Sequence, residues 1–470
     1  MDDRRIATAL FALAFVPVAY FYGGWGANQE VNYALTRAIV EARTFQVDRF
    51  TVHDGDIADG VGGHIYSNKP PGLSVLGAIP YSVQYPLQQR RIVRFRDYWR
   101  TNKQLVTIAI CGVAGALIPA VLYLYGRRRL GVSRMHAAGV AIVIAFGTIV
   151  FPYSTMFFAH VPSALFLLLA LTLLRSRPLL AGAAAGVAGA CFLISAIAAL
   201  VLAGLAWKDS AKKALLFVAG GVPFAIGLAA YQGVCFGSPF VTAVERSGSF
   251  TEKGLLLGVF GGPQLTRLWG LTFSEYRGLF FGSPVLLFAI AGLVLMVRQR
   301  RFRAEAIAIG AIALLFLLLN ASFNGWHGGA AYGPRYLLPV IPLLGIAMML
   351  VADRFRLLWI LGGVLSIALN LAVTAVDPMP LDGVEHPVTQ HILPKLRDEV
   401  SLAQDAGNLG ERFLGKGNNL TILPAAFWIL AGGCFILARA RAGGTMTGGC
   451  VGTPASSSPS ARSRSRGACC

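Results

Sequence analysis

Charged side chains are scarce in this sequence, and their scarcity excludes a water-soluble fold. Only 13% of the 470 residues are Asp, Glu, Lys or Arg and 55% are apolar, whereas a soluble domain carries about 25% charged residues. Apolar runs of about 20 residues, the length that crosses ~30 Å of hydrocarbon as a helix, recur along the chain. The composition therefore predicts an all-α polytopic membrane protein.

Several familiar motifs are also missing. The seven cysteines show neither a paired C-x-x-C metal spacing nor a disulfide framework. The glycines form no P-loop and no dinucleotide-binding motif on a strand, and the run 182–189 is instead typical of close helix packing. The net charge of +19 lies mainly in clusters at the ends of apolar runs, which is typical of membrane anchoring. We therefore predict no nucleic-acid partner.

The apolar runs predict about 12 transmembrane helices, in a range of roughly 10–13. The first run follows basic residues, as in a signal peptide, but no small-residue cleavage site comes after it, so we interpret it as a retained span. The predicted spans are 6–22, 104–125, 137–158, 161–174, 179–194, 195–207, 214–234, 279–297, 304–322, 336–352, 357–375 and 422–438.

Lysine and arginine are concentrated in alternate short connections, which predicts that those connections are cytoplasmic. With the first residues inside, the inner connections hold Arg4, Arg5, Arg127, Arg128, Arg129, Arg134, Arg175, Arg177, Lys208, Lys212, Lys213, Arg298, Arg300, Arg301, Arg303, Arg354, Arg356, Arg439 and Arg441. The short outer turns hold almost none, and Arg335 is the exception. We predict a protein of the bacterial inner membrane with both termini in the cytoplasm.

Three long connections, 23–103, 235–278 and 376–421, then lie on the extracytoplasmic side and hold most of the polar material. The first contains an apolar segment, 73–87, that is interrupted by two prolines. Counting this segment as a span would move every later basic cluster to the outside, so we predict that it is an interfacial helix.

The spans and their connections form one predicted transmembrane domain, 1–441. The segment 442–470 is low in complexity and cannot bury a core, so it is predicted to be a disordered cytoplasmic tail.

The first outer loop contains three candidate catalytic carboxylates. Residues 28–44 have apolar side chains at helical spacing, which predicts an amphipathic helix along the membrane surface, with Asn28 as its N-cap. Glu30 lies in its first turn, where it either complements the helix dipole or acts as a general base. Asp48 lies between apolar neighbours, whereas Asp56 lies among glycines, where carboxylates usually form solvated turns.

The same loop ends in His64-Ile-Tyr66-Ser-Asn-Lys69-Pro-Pro-Gly, directly before the interfacial helix. The two prolines pre-set the entry to that helix, which places Lys69 at the depth of the lipid headgroups. A lysine there either snorkels to the interface or neutralises the phosphate of a lipid-linked substrate.

Further candidates lie at the outer ends of later spans. His160 is one, and Arg277 follows Glu275, with which we expect it to pair. The outer turn 324–336 contains Trp326, His327 and Arg335. Because an arginine at the mouth of a span is costly unless it is paired, Arg335 is expected to have an anionic partner, either a carboxylate or a bound phosphate.

Taken in order, these elements resemble the membrane-embedded GT-C glycosyltransferases, which include protein O-mannosyltransferases and aminoarabinose transferases. The resemblance rests on one span, a long outer loop with an early acidic residue, the Lys69 element, many further spans and the turn Gly333-Pro-Arg335-Tyr336. It covers most of 1–375. It implies inverting transfer of a sugar from a polyprenyl-phosphate donor to a glycan, lipid or protein acceptor on the extracytoplasmic side.

The resemblance also implies residue roles. Glu30 takes the position of the base that activates the acceptor hydroxyl, Lys69 takes the phosphate-binding position with His64 and Tyr66 in the same element, and Arg335 is a second phosphate ligand. Many members have Asp-Glu just past the first span where this chain has Asn28-Gln-Glu30. Asp48 and Asp56 therefore stay open as alternative bases.

Two other functions fit the same topology. A transporter or flippase of a lipid-linked sugar would show two similar halves and midspan polar residues, and the sequence has no such repeat. A scaffold without activity is the third interpretation. No cofactor is certain, no metal site is predicted, and assistance by a divalent cation stays open.

Overall fold

The computed structural model describes residues 1–51, 55–90, 98–247, 255–256, 258–351, 355–398, 406–415 and 418–442. The predicted disordered tail lies outside the described residues, except for Ala442 at the end of the last helix.

Helices make up most of the described chain. The α-helices are α1 Asp3–Tyr20, α2 Ala27–Arg37, α3 Gly72–Gln89, α4 Tyr98–Thr107, α5 Val113–Tyr125, α6 Arg134–Phe146, α7 Val150–Ser154, α8 His160–Leu173, α9 Pro178–Cys191, α10 Ser195–Asp209, α11 Ala211–Phe236, α12 Leu265–Thr272, α13 Leu279–Gly282, α14 Leu287–Arg298, α15 Arg303–Ser322, α16 Ile341–Met348, α17 Arg356–Val376, α18 Leu393–Asp398, α19 Glu411–Leu414 and α20 Leu423–Ala442. π-helical turns are Ala38–Ala42, Ile108–Gly112, Gly126–Leu130 and Pro387–Ile392, and 3₁₀ turns are Val61–Gly63, Pro284–Leu286, Arg335–Val340 and Asn419–Ile422.

Each predicted span consists mostly of helical residues in the described chain, and the chain is a multi-pass helical membrane protein. Five continuous helices in the described part are long and apolar enough to cross a membrane: Arg100–Leu130, Ala211–Phe236, Arg303–Ser322, Arg356–Val376 and Asn419–Ala442. Shorter apolar helices are Arg134–Phe146, His160–Leu173, Pro178–Cys191, Pro284–Arg298 and Arg335–Met348. The number of helices that cross the bilayer stays a prediction.

Two predicted elements differ from the structure. The span 137–158 is broken, because α6 ends at Phe146 and the short α7 begins only at Val150. The surface helix 28–44 is α2 followed by a π-helical turn, and its N-cap is Gly26, not Asn28. It does not lie exposed along the membrane surface, since residues 29–36 are all buried. The reason is that α3 packs directly on it.

The predicted interfacial segment 73–87 forms α3, which is not among the long apolar helices of the described chain. It packs on α2 and on α9 and lies beside the outer loop from which it emerges. Its entry is Pro70-Pro71-Gly72, as the prolines predict. A Cβ on Gly72 would come within 2.4 Å of the Ala190 carbonyl carbon, so only glycine allows α3 to begin against the end of α9.

Two small antiparallel sheets organise the loops. β1, Phe21–Gly23, pairs with β4, Ala406–Asn408, and so joins the start of the first outer loop to the predicted outer segment 376–421. β2, Ile57–Asp59, pairs with β3, Ile65–Ser67, with Ala58 opposite Tyr66. This second pairing brings the glycine-rich segment beside the residues that precede Lys69.

Basic residues of several predicted inner connections meet at one end of the bundle, here called the basic end. Asp3 pairs with Arg127 and Arg134 at 3.3 and 2.8 Å. Buried Glu305 accepts hydrogen bonds from Arg129 and Arg175 at 2.8 and 3.2 Å. Since α8 and α15 run from one end of the bundle to the other, His160 and the residues that follow Ser322 lie at the opposite end. Which side of the membrane each end faces stays a prediction.

The helices α9 and α11 cross closely and form part of the wall of the cavity at the opposite end. A Cβ on Gly182 would lie 1.7 Å from the Phe217 carbonyl oxygen, and one on Gly220 would lie 2.0 Å from the Leu179 carbonyl oxygen. The two glycines therefore allow backbone contact between the helices, as the small-residue run 182–189 predicted.

Candidate active site

A cavity of about 220 Å³ lies at the end of the bundle opposite the basic end. Its polar wall comes from α2, from the Lys69 element and from the start of α8, with Asn28, Asn32, Asn68, Lys69 and His160. Its remaining wall is mainly apolar and includes Phe192, Leu228, Tyr231, Phe236, Val259, Phe260 and Phe323. A cavity with a small polar region and a long apolar wall suits an amphipathic ligand.

Lys69 pairs with Asp56 at this polar wall. The distance from Lys69 Nζ to Asp56 Oδ1 is 2.7 Å, and the two side chains are 24% and 17% exposed. Asn68 donates hydrogen bonds to Asp56 Oδ1 at 3.4 Å and to Ser247 Oγ at 3.1 Å. The structure thus joins two predicted site residues that are 13 positions apart in the sequence.

Asp56 is unusual in both its backbone conformation and its pKa. Its φ of 62° lies in the left-handed region, which aspartate tolerates better than most residues but which is uncommon outside glycine. Burial opposes ionisation of the carboxyl, but Lys69 and, farther away, Arg335 outweigh it and hold the pKa of Asp56 below its ordinary value. Asp56 is therefore ionised at neutral pH and is a weak base.

Arg335 begins the 3₁₀ turn that leads into α16 and is only 8% exposed. Its guanidinium lies over the rings of Phe158 and Tyr336, 5.0 and 5.2 Å from their centroids. Its Nε has no hydrogen-bond partner, and no described carboxylate lies within ion-pair distance of it. Asp56 interacts with it electrostatically but makes no hydrogen bond to it. The anionic partner that the sequence predicts is therefore not a carboxylate of the described chain in direct contact.

The turn before Arg335 places the backbone at Gly328 close to the Arg335 side chain. Gly328 has a φ of 77°, and a Cβ there would lie 2.8 Å from Arg335 Nε. Arg277 is fully buried and donates to the carbonyl oxygens of His327 at 2.8 Å and Gly329 at 2.9 Å. Arg277 thus fixes the turn that presents Arg335.

The expected pairing of Glu275 with Arg277 is wrong. Glu275 accepts hydrogen bonds from the Thr389 backbone and hydroxyl at 2.7 and 2.9 Å and lies 3.3 Å from His386. The buried backbone carbonyls of the turn need a donor, and the five N–H groups of the Arg277 guanidinium are better suited to them than to one carboxylate.

Trp326 and His327 also belong to the turn and are not among the residues that line the cavity. Trp326 packs against Gly270, where a Cβ would lie 2.6 Å from its ring. His327 accepts a hydrogen bond from the Gly329 N–H at 3.1 Å, and burial together with the nearby Arg277 lowers its pKa. Both residues therefore have packing roles in the described structure.

Glu30 lies in the first turn of α2, as predicted, but is only 2% exposed. Its Oε2 accepts hydrogen bonds from Lys103 Nζ at 2.7 Å and from Trp25 Nε1 at 2.5 Å. Its Oε1 is buried and has no hydrogen-bond partner. Asn28 and Asn32 line the cavity and Glu30 does not, because residues two apart on a helix point in different directions.

Lys103 is a site residue that the sequence analysis missed. It lies 73 positions from Glu30 and at the outer end of a span, where lysine is rare in this chain, and that rarity was the available signal. Its Nζ also lies 4.5 Å from the centroid of the Trp25 ring.

The cavity lining does not include Asp48, His64 or Tyr66. Asp48 accepts a hydrogen bond from the Ile65 N–H at 3.1 Å and lies 3.5 Å from His64 Nδ1. Tyr66 packs on Phe236 with ring centroids 5.8 Å apart. These contacts hold the loop in place. Among the described residues, no group of three His, Cys, Asp or Glu side chains is arranged to hold a metal ion.

No protein-family model and no curated protein matches this sequence. Solved structures do match the fold, among them ArnT from Cupriavidus metallidurans bound to undecaprenyl phosphate, with a TM-score of 0.51, and the same protein in the apo state, with a TM-score of 0.50. Each match has 14% sequence identity and covers 94% of this chain and 78% of that chain. The chain has the ArnT fold. This is the fold that the resemblance implies, and at this identity the likeness establishes the fold alone.

Proposed function

We propose that the protein is a membrane glycosyltransferase that moves a sugar from a polyprenyl-phosphate donor to an acceptor on the extracytoplasmic side. The observation that carries the proposal is Lys69 at the polar wall of an otherwise apolar cavity. The buried guanidinium of Arg335 lies over the ring of the lining residue Tyr336, and its Nε has no hydrogen-bond partner. A lipid phosphate matches both parts of this cavity. The ArnT structure of the same fold is bound to undecaprenyl phosphate, a ligand of this chemistry.

The donor phosphate is assigned to Lys69 and Arg335. Lys69 supplies a point charge, and Arg335 supplies a planar fork that suits phosphate oxygens. One carboxylate, Asp56, faces these two cations, so the group carries a positive charge that an incoming phosphate neutralises. The apolar wall formed by Leu228, Phe236 and their neighbours then covers the first part of the polyprenyl chain.

Glu30 is assigned as the base. Asp56 is a poor base because its pKa is depressed, and Asp48 is 35% exposed and bound to the loop backbone. Glu30 does not itself line the cavity, but it lies on α2 between the lining residues Asn28 and Asn32. One of its oxygens is fixed by Lys103 and Trp25, and the other is buried without a partner, so we assign this second oxygen to accept the proton of a hydroxyl.

In the proposed reaction the acceptor oxygen attacks C1 of the sugar while its proton passes to Glu30 Oε1. The bond from the acceptor oxygen to C1 forms, and the bond from C1 to the phosphate oxygen breaks with its electron pair on the phosphate. Lys69 and Arg335 stabilise that developing charge. A single displacement of this kind inverts the configuration at C1.

The test is an assay of sugar transfer from a polyprenyl-phosphate sugar by the purified, reconstituted protein. The assay measures both the glycosylated product and the released lipid phosphate. Glu30→Gln is expected to lower transfer by about 10²–10⁴-fold, the usual contribution of a general base, while undecaprenyl phosphate still binds. Asp48→Asn is the matched control, since it removes a carboxylate of the same loop that is bound to the Ile65 N–H and lies beside His64, and it is expected to retain transfer.

Two outcomes would contradict the proposal. Retained transfer in both Glu30→Gln and Lys69→Ala would remove the site assignment. Uptake of a labelled lipid-linked sugar into vesicles without any glycosylated product would favour the transporter or flippase.

A further inference from the structure

His160 is the first residue of α8 and lines the cavity, yet its imidazole has no hydrogen bond. The residue is 4% exposed, and both ring nitrogens are buried without a partner. A buried polar atom that lacks a partner costs about 1–3 kcal/mol. Two such atoms on one side chain at a cavity wall indicate a ligand that supplies both partners.

The surroundings of the ring explain why the protein supplies none. Phe192 and Tyr336 pack on it with ring centroids 4.8 and 5.6 Å away, and Phe158 lies 5.8 Å away. The charged groups that act on it are Arg335 and Lys69, both cations. A proton added to the imidazole would bury a third positive charge beside these two, so the ring is neutral.

A neutral imidazole offers one N–H donor and one bare nitrogen acceptor. The phosphodiester of a polyprenyl-phosphate sugar carries no proton and can satisfy only the donor. The acceptor nitrogen needs an O–H or N–H group, and in such a donor lipid only the sugar carries one. A sugar hydroxyl can also accept, so the sugar can satisfy either nitrogen.

We propose that His160 is a specificity residue that hydrogen-bonds the sugar of the donor, beside the phosphate held by Lys69 and Arg335. This inference rests on the proposed function and extends it. His160 then distinguishes the sugar-bearing donor from the bare lipid phosphate, which is the reaction product. It also favours a sugar that places a hydroxyl or amino group at the ring.

The experiment compares the binding of two kinds of lipid to the full-length protein in nanodiscs. The probes are bare undecaprenyl phosphate and undecaprenyl phosphate linked to glucose, mannose or arabinose. The sugar lipid that the wild type binds most tightly is then used for the variants. In His160→Phe the dissociation constant of the sugar lipid is expected to rise roughly 10- to 100-fold, equivalent to one or two lost hydrogen bonds. Binding of the bare lipid is expected to stay unchanged.

Two further variants separate hydrogen bonding from packing. His160→Gln keeps a donor and an acceptor and is expected to recover part of the preference for the sugar lipid, even if His160→Phe is poorly folded. Phe192→Leu is the matched control, since it alters packing on the same ring, and it is expected to change binding of both lipids by the same factor.

An equal loss for both lipids in His160→Phe would place the imidazole on the phosphate and overturn the inference. Unchanged binding of both lipids would overturn it as well, since the imidazole would then make no hydrogen bond to either lipid. A wild-type protein that binds neither lipid would overturn the proposed function itself. These outcomes are distinguishable in one set of measurements.

Discussion

At the basic end of the bundle, buried Glu305 accepts hydrogen bonds from Arg129 and Arg175, whose side chains are 26% and 40% exposed. At the cavity end, the guanidinium of Arg335 is itself buried, and no described carboxylate touches it. Both ends contain arginines and few acidic residues. At the basic end the buried group is the carboxylate of Glu305, whereas at the cavity end it is the guanidinium of Arg335.

This difference in burial indicates a structural role for the arginines around Glu305 and a ligand-binding role for Arg335. Exposed arginines around a buried acid are solvated by water and headgroups, so their excess charge costs little and fixes orientation. A buried arginine without an ion-pair partner loses its hydration and has no direct anionic contact in return; for Arg335 the rings of Phe158 and Tyr336 replace only part of it. Such an arrangement persists where a ligand supplies the anion, and this is why the cavity end is assigned the chemistry.

The largest expected effect comes from Arg335→Met. Undecaprenyl phosphate is expected to bind at least ~100-fold more weakly, because a charged, bidentate contact to phosphate is lost. Thermal stability without lipid is expected to stay equal or rise, because a buried charge without an ion-pair partner is removed. Lipid binding and thermal unfolding in detergent measure the two effects.

Arg335→Lys is the control for this variant, since it keeps the charge and loses the planar fork. An intermediate loss of binding is expected. A clear fall in stability in Arg335→Met would contradict the comparison, because it would mean that Arg335 supports the fold as Arg129 does.

Lys69→Met is expected to weaken phosphate binding and also to destabilise the protein. It leaves Asp56 buried without its cation, which costs roughly 1–3 kcal/mol. The double variant Lys69→Met/Asp56→Asn is expected to recover the stability but not the binding. Recovery of both would show that Lys69 only neutralises Asp56 and does not hold phosphate.

Much of the architecture was predictable from the sequence, because apolar length and the positions of arginine record it directly. The exclusion of 73–87 from the spans follows from the same charge pattern and stays a prediction. The element at Lys69 and the arginine at 335 stood out because each is unusual in its position.

The pairings within the site were not predictable. Lys103 meets Glu30, and Asp56 meets Lys69 in a left-handed conformation, and both contacts depend on how loops fold over α2. The same packing buries α2, which its amphipathic pattern alone would place at the surface. Pattern identifies an element and its faces, whereas the neighbour that covers the polar face is set by tertiary structure.

The Asp56 pair also predicts a pH dependence. Because the pKa of Asp56 is lower in the folded protein than in the unfolded chain, its stabilisation is fully present above the unfolded pKa of about 3.9 and is lost as the pH falls through the folded value. The stability difference between wild type and Asp56→Asn is therefore expected to be constant from about pH 8 to 5 and to shrink below about 4. Thermal unfolding at a series of pH values measures it, and a difference that already disappears near neutral pH would contradict an ionised Asp56.

The smallest expected effect is that of Glu305→Gln at the basic end. The glutamine keeps the size of the side chain and one acceptor, and water solvates the exposed part of Arg129 and Arg175, so the loss is expected to be about 1 kcal/mol. Transfer and lipid binding are expected to match the wild type, because the change lies across the bundle from the cavity. If Glu305→Gln instead reduced lipid binding as strongly as Arg335→Met, the two ends would be coupled, and burial of the cation could not be what distinguishes the site.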